Sequence, residues 1–203
     1  MKTLSILRTA AVAAVFAAGA AQAQQTVITF NALEQPGILG TVIDTYSEAG
    51  YNFDNNLLYG LHSAHQDNFA YAGSAGLGAT VLTTTTLTRA DGAAFSLDKI
   101  SLANYVSVLP GSYDVTFVGT QAGGGTVSQT FTVGGSHSFS DYTFTGFSNL
   151  VSASWQEGLL HTYQVDNVGA SVSAVPEPGT YAMLLGGLGL LAFMARRRKA
   201  AAV

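Results

Sequence analysis

The sequence predicts an all-β protein: a two-sheet antiparallel β-sandwich flanked by an N-terminal signal peptide and a C-terminal transmembrane helix. Three observations predict it. Apolar and polar residues alternate along short segments of the chain's middle, glycine- and proline-bearing turn signals separate those segments, and both ends are apolar runs beside basic residues. The chain of 203 residues accordingly divides into 1–23, 24–174 and 175–203.

The first part reads as a secretory signal. Met1 to Arg8 is short and basic, Thr9 to Ala21 is apolar, and Ala21 and Ala23 are the small residues ahead of a cleavage site. Signal peptidase is the expected processing partner and Gln24 the expected mature N-terminus. The apolar run is short for a spanning helix.

In the middle part no helical periodicity stands out. Tyr113, Val115 and Phe117 share one face, as do Val127, Phe131 and Val133, and Val151, Ala153 and Trp155. Turn signals fall at Asp91-Gly92, Leu109-Pro110-Gly111-Ser112, Gly123-Gly124-Gly125 and Gly134-Gly135. Residues 112–120 and 126–133 form a hairpin across the glycine loop. The spacing of strands and turns suggests a two-sheet antiparallel sandwich.

Charge is divided unevenly. Between Gln24 and Ala174 eleven acidic residues face two basic ones, Arg89 and Lys99, a net charge of −9 where the whole chain carries −4. Such a surface resists nucleic acid and anionic lipid and suits neutral glycans, cations or simple solubility. Cysteine is absent, which excludes a disulfide framework, thiolate catalysis and Cys-ligated zinc.

Several side chains are candidates for chemistry. His62, His65 and Asp67 have spacings that could converge on a divalent metal, although the glutamate of a zinc-protease motif is missing and a solvated loop is the simpler reading. Gly73-Ser74-Ala75-Gly76 lacks the first glycine of a nucleophile elbow. His137 and His161 combine with Asp141 or Asp166 into a triad only on paper, and no pair of acids is singled out for glycoside hydrolysis.

Asp166 is the most informative carboxylate. Val168 and Val172 share its parity, so on an unbulged strand it points to their side and needs partners there. Backbone amides would serve, or a structural Ca2+ held with Glu34 and loop carbonyls where first and last strands meet. Tyr163 and Val165 have the opposite parity, which a bulge would explain.

Trp155, Phe117 and Phe131 read as core. Tyr46, Tyr51, Phe53, Tyr59, Phe69 and Tyr71 sit in less regular sequence, either packed beneath loops or forming a stacking platform for sugar rings, with Asn52, Asn55, Asn56 and Asn68 bonding the hydroxyls.

In the last part Pro176-Glu177-Pro178 precedes an apolar run from Thr180 to Ala195, and Arg196, Arg197, Arg198 and Lys199 follow at once. The prolines keep the tripeptide extended. As a helix the run covers about 24 Å, near the ~30 Å of a hydrocarbon core, and the basic cluster stays on the cytoplasmic side of the inner membrane.

This order of tripeptide, apolar helix and basic terminus resembles the PEP-CTERM sorting signal. The resemblance implies a Gram-negative exported protein handled by exosortase, membrane-anchored as a precursor, then released to the surface or secreted, and associated with exopolysaccharide and biofilm. The middle part also resembles a β-sandwich domain of exported PEP-CTERM proteins, similar to galactose-binding-like jelly rolls. That likeness rests on the strand at 26–30 leading to Glu34, the stretches 46–53 and 86–97, Phe147-Ser148-Asn149-Leu150 before the Trp155 strand, and Asp166-Asn167-Val168 in the closing strand. It implies carbohydrate binding or a surface role. The expected function is therefore a non-enzymatic surface or matrix protein, with a secreted hydrolase of polysaccharide or ester substrates as the alternative.

Overall fold

Where polar and apolar residues alternate, the chain forms strands, thirteen of them among the residues described by the computed structural model, which are 25–108, 110–172 and 185–191. They are β1 (Gln25–Ile28), β2 (Gly40–Ile43), β3 (Tyr46–Glu48), β4 (Tyr51–Asn55), β5 (Leu61–Ala64), β6 (Leu77–Ala79) and β7 (Thr84–Arg89). After them come β8 (Phe95–Ser107), β9 (Tyr113–Gln121), β10 (Thr126–Val133), β11 (Ser140–Thr143), β12 (Leu150–Gln156) and β13 (His161–Val172). A single turn of 3-10 helix, Asn31–Leu33, follows β1.

Every pairing is antiparallel. One sheet runs β2-β5-β6-β13-β8, with β11 on the far side of β8 and β1 completing the edge of β13 beyond β6. The other runs β3-β4-β7-β12-β9-β10. A single residue pair, Leu150 with Phe95, joins the two at a corner. The expected all-β, two-sheet antiparallel sandwich is therefore what the chain forms, and the expected glycine-loop hairpin is β9–β10.

The core lies between the sheets. Phe53, Leu87, Ala153, Trp155, Val115 and Phe117 from the second sheet are buried against Leu97, Ile100, Leu102, Tyr163, Val165 and Val168 from the first. Rings lock the faces together: Phe117 meets Phe144 edge-on at 5.2 Å, and Tyr51 meets Phe95 edge-on at 5.6 Å. Phe30 begins the corner after β1 in the left-handed region, at φ 54°. Glu48 secures that corner, accepting from the Thr29 and Phe30 amides at 3.1 and 2.9 Å and from the Tyr46 hydroxyl at 2.8 Å.

Strand β13 contains the bulge that the parity of its residues raised. Pairing with β8 shifts register between Asp166 and Gly169, and Asn167 lies at φ 47°, a conformation asparagine tolerates better than most residues. Tyr163 and Val165 thus face the core before the bulge, and Val168 and Ala170 face it afterwards. Asp166 points the other way. The expectation that it shares a face with Val168 and Val172 is corrected by this extra residue.

Ala23–Ser173 is one compact unit, and the combined ends Met1–Gln22 and Ala174–Val203 are a second. In the second, 185–191 is described and is helical. No helix among the described residues is long and apolar enough to cross a membrane. Ala21, Ala23, Gln24, Pro176, Glu177, Pro178, Arg196, Arg197, Arg198 and Lys199 lie outside the described residues.

Phe117 touches Phe131, Phe144 and Trp155 and is fully buried. Phe117→Ala should cost about 3–5 kcal/mol of stability, measured by chemical denaturation, and Phe131→Ala, which is only half-buried, distinctly less.

Candidate functional site

A long irregular loop between β5 and β6 lies across the outer face of the first sheet, and polar side chains of β13 hold it there. Gln164 donates from Nε2 to the Ala70 carbonyl at 2.6 Å, and the Ser74 hydroxyl donates to Asp166 Oδ2 at 2.6 Å. Both anchors are buried. Gly76 and Gly78 permit the close approach: a Cβ at Gly76 would lie 2.8 Å from the Phe139 ring, and one at Gly78 would lie 2.9 Å from His62 Nε2.

Beside this loop opens a cleft of about 590 Å³. Its floor is the end of β8 from Asn104 to Val108, and its walls are Phe69 and His137. Phe69 is 74% exposed and meets the His137 ring edge-on at 6.1 Å. His137 Nδ1 lies 2.8 Å from the Asn104 carbonyl, so Nδ1 is the donor of that pair. Tyr105 contributes a second ring, packed on His62 at 4.4 Å, and burial pushes its hydroxyl pKa upward. The cleft thus offers apolar ring surface with scattered neutral donors and acceptors. Among the described residues no carboxylate lines it.

The histidines and acids read from the sequence are placed apart. His62 lies on β5 rather than in a solvated loop, and burial pulls its pKa down to about 4. His65 bonds Thr41 Oγ1 at 3.0 Å, and Asp67 accepts from the Gly37 amide at 3.1 Å. Ser107 and His161 form a hydrogen-bonded pair at 2.7 Å, but Asp141 accepts from Ser101 and Asp166 from Ser74. No His–Asp hydrogen bond exists among the described residues, so no Ser-His-Asp constellation is assembled. The asparagines serve loops instead: Asn55 accepts from the Leu57 amide, Asn56 from the Thr84 amide and Asn68 from the Ala70 amide. Tyr46, Tyr51 and Phe53 are core, which leaves Phe69 and Tyr59 as the exposed aromatics of the expected platform.

Glu34 and Asp166 are brought into the same electrostatic neighbourhood. Asp166 Oδ2 accepts from Ser74, and Oδ1 accepts from the Asn167 amide at 2.6 Å. Burial raises its pKa to about 6; Ser74 and Asn167 oppose the rise, and the charges of Glu48 and Glu34 add to it. At Glu34 burial also pushes upward, yet hydrogen bonds from Tyr71, Gln66 and the Ala75 amide outweigh it and leave the pKa lowered. Among the described residues Glu34 Oε2 is buried without a hydrogen-bond partner. Among the described residues no group of three or more His, Cys, Asp or Glu side chains is placed to hold a metal ion. The two carboxylates could therefore serve a cation only with carbonyls completing the set.

No local pattern in the sequence marks Glu157. It is buried at the base of the β12–β13 turn and accepts from the Tyr163 amide at 2.9 Å and from that of Ala79. Burial pushes its carboxyl well above the ordinary range.

Comparison with known proteins addresses the tail first. Residues 174–199 match the PEP-CTERM protein-sorting motif. That motif marks an exported protein processed by exosortase. No curated protein matches the sequence. Among solved structures the chain is similar to a family 29 carbohydrate-binding module from Piromyces equi, at 13% identity over 74% of this chain and 91% of that one, TM-score 0.42. It is similar to the TmCBM61 module in complex with β-1,4-galactotriose at 8% identity over 60% and 88%, TM-score 0.40. A family 11 carbohydrate-binding module from Clostridium thermocellum, in complex with a mixed-linked tetrasaccharide, matches at 11% identity over 68% and 98%, TM-score 0.31.

The raised pKa of Asp166 has a signed consequence. The folded state binds this proton more tightly than the unfolded chain, so the stabilisation is complete below about pH 3.8 and is lost as pH rises to about 6. Asp166→Asn should raise the melting temperature relative to wild type at pH 7, with the gap closing toward pH 4. A gap that ignores pH would contradict this.

Proposed function

We propose that this protein is an exosortase-sorted component of the cell surface or extracellular matrix of a Gram-negative bacterium, associated with exopolysaccharide or biofilm, whose β-sandwich binds glycan without turning it over. Signal peptidase removes residues 1–23 ahead of Gln24. The tail then holds the precursor at the inner membrane, through its apolar run and the basic cluster at Arg196–Lys199, until exosortase acts at Pro176-Glu177-Pro178.

The observation that carries the glycan reading is the cleft beside the 65–76 loop, with its exposed Phe69 ring. An aromatic face covers the C–H-bearing side of a sugar, while Tyr105, Ser107 and His137 suit its hydroxyls. The ligand class is neutral polysaccharide, because the surrounding unit carries −9 and an acidic glycan would be repelled. Hydrolysis of a glycoside would need two carboxylates flanking the scissile bond, and the cleft lining supplies none. This supports binding over the hydrolase alternative.

A structural Ca2+ at Glu34 and Asp166 is a separate proposal, supported by the uncommitted Glu34 Oε2. It would tie the segment after β1 to the closing strand.

Residues 24–174 should be retained on at least one neutral polysaccharide of a panel without releasing reducing ends. Phe69→Ala should weaken that retention roughly tenfold. Measurable turnover, or retention indifferent to Phe69, would remove the reading. For the cation, Ca2+ should raise the melting temperature over that in EGTA, and Glu34→Gln should abolish the difference. Superimposable wild-type melts would assign the pair to hydrogen bonding alone.

A further inference from the structure

One pole of the sandwich is built from four loops whose tips are apolar. They join β4 to β5, β6 to β7, β8 to β9 and β12 to β13. Leu58 is 75% exposed, Val108 70%, Leu159 64% and Tyr59 60%; Val81 and Leu82 stand half in solvent beside them. Hydrogen bonds make these tips one surface. The Thr80 amide donates to the Gly60 carbonyl at 2.9 Å, the Glu157 amide to Thr83 at 2.9 Å, the Val108 amide to Leu160 at 3.0 Å, and Gln156 Nε2 to Leu82 at 3.1 Å. Tyr59 and Leu82 hold their side chains outward from the left-handed region, at φ 53° and 59°, a conformation costly for bulky residues.

Chemistry distinguishes this pole from the rest of the unit. Its loops contain no Asp, Glu, Lys or Arg apart from Glu157, which is buried, while Asp44 stands at the border accepting from the Tyr59 amide. Between the tips runs an apolar groove of about 320 Å³, lined by Val81, Val106, Val108, Leu159 and Leu160. The chain enters and leaves the unit at the other pole, because Gln25 pairs with Ser171 while His161 begins β13 at this one. Twelve residues of strand place the two poles about 36 Å apart.

We propose that this apolar pole is a self-association surface, on which a second copy of the chain docks head to head. Three points favour a second copy. Knobs such as Leu58 and Leu159 and the groove beside them sit on one patch, so a two-fold axis brings each copy's knobs to the other's groove. Leu58, Tyr59, Val108 and Leu159, each 60–75% exposed, supply the apolar centre around which an interface of ~800 Å² per partner is built. Uncharged poles in contact also keep the two acidic bodies at their greatest separation. A bilayer fits less well: neither basic residue of the unit lies in these loops, so no cationic collar meets lipid headgroups.

The test is sedimentation velocity of residues 24–174 over a concentration series, with circular dichroism confirming the fold of each variant. Wild type should dimerise, more tightly as salt is added. Leu58→Asp and Leu159→Asp should each raise the dimer dissociation constant by roughly tenfold or more, whereas Val151→Asp, on β12, should not. Wild type that stays monomeric throughout, or a dimer indifferent to both pole substitutions, would overturn the proposal. So would flotation with neutral phosphatidylcholine vesicles that is lost in those variants, which would hand the pole to a bilayer. Phe69→Ala should leave the dimer intact, which separates this result from the glycan reading.

Discussion

The bulge at Asn167 is the constraint on which the rest of the unit depends. Strand β13 is flanked along its length by β8 on one side and by β6 and then β1 on the other, and it is buried on both faces through its middle. Without the extra residue, the set Tyr163 and Val165 and the set Val168 and Ala170 could not both face the core, since a one-residue slip sends side chains to the opposite face. With it, both sets are buried, and Gln164 and Asp166 are left on the outer face. Those two polar side chains then tie down the 65–76 loop through Ala70 and Ser74. Because that loop carries Phe69, the cleft on the outer face follows from a backbone irregularity in the core.

An acidic unit with two cations must hold its carboxylates by other means, and this shapes what the molecule can do chemically. One ion pair is formed among the described residues, Arg89 with Asp91. The remaining structural carboxylates accept from neutral donors: Glu48 from the Thr29 and Phe30 amides, Asp141 from Ser101, Asp166 from Ser74 and Asn167, and Glu157 from Tyr163 and Ala79. Each of these acids acts as a local fastener, although Glu48 and Glu34 lie near enough to Asp166 for their charges to raise its pKa. Acid–base catalysis asks for the reverse, two carboxylates facing one space. None of these fasteners is among the described residues that line the cleft beside Phe69.

How much of this the sequence shows depends on the range of the interaction. The faces of β9 and β10 were legible because alternation is local, and so was the hairpin across Gly123-Gly124-Gly125; on β12 Ala153 and Trp155 are buried as read, but a register shift between Leu150 and Ser152 buries Leu150 and leaves Val151 exposed. The bulge was legible as a conflict, since the valines on either side of Asp166 have opposite parity, but parity alone does not say which side wins. The irregular stretch from 46 to 76 was not legible. Tyr46, Tyr51 and Phe53 are core because β4 pairs with β7, 34 residues later at Phe53–Leu87, and no pattern near them records that pairing. Phe69 was identified as an aromatic candidate, yet its neighbours Tyr105 and His137 reach it only through the outer face of the sheet. Glu157 left no trace, for a buried carboxylate held by two amides looks in sequence like any loop acid.

The closure of the sandwich also explains how a sorting tail can be attached to such a unit without entering its chemistry. First and last strands pair with each other from Gln25–Ser171 to Ile28–Val168, and β13 is held on its other edge by β8 as far as Val172. The chain ends are thus fastened by ladders that need nothing beyond 25–172. The core, the cleft and the apolar loops are all made from residues inside those limits. Among the described residues, every strand, every core side chain and every wall of the cleft lies within 25–172. The last ladder closes at Val172 against Phe95, ahead of the sorting motif at 174–199, so the pairing that fastens β13 is complete before the motif begins.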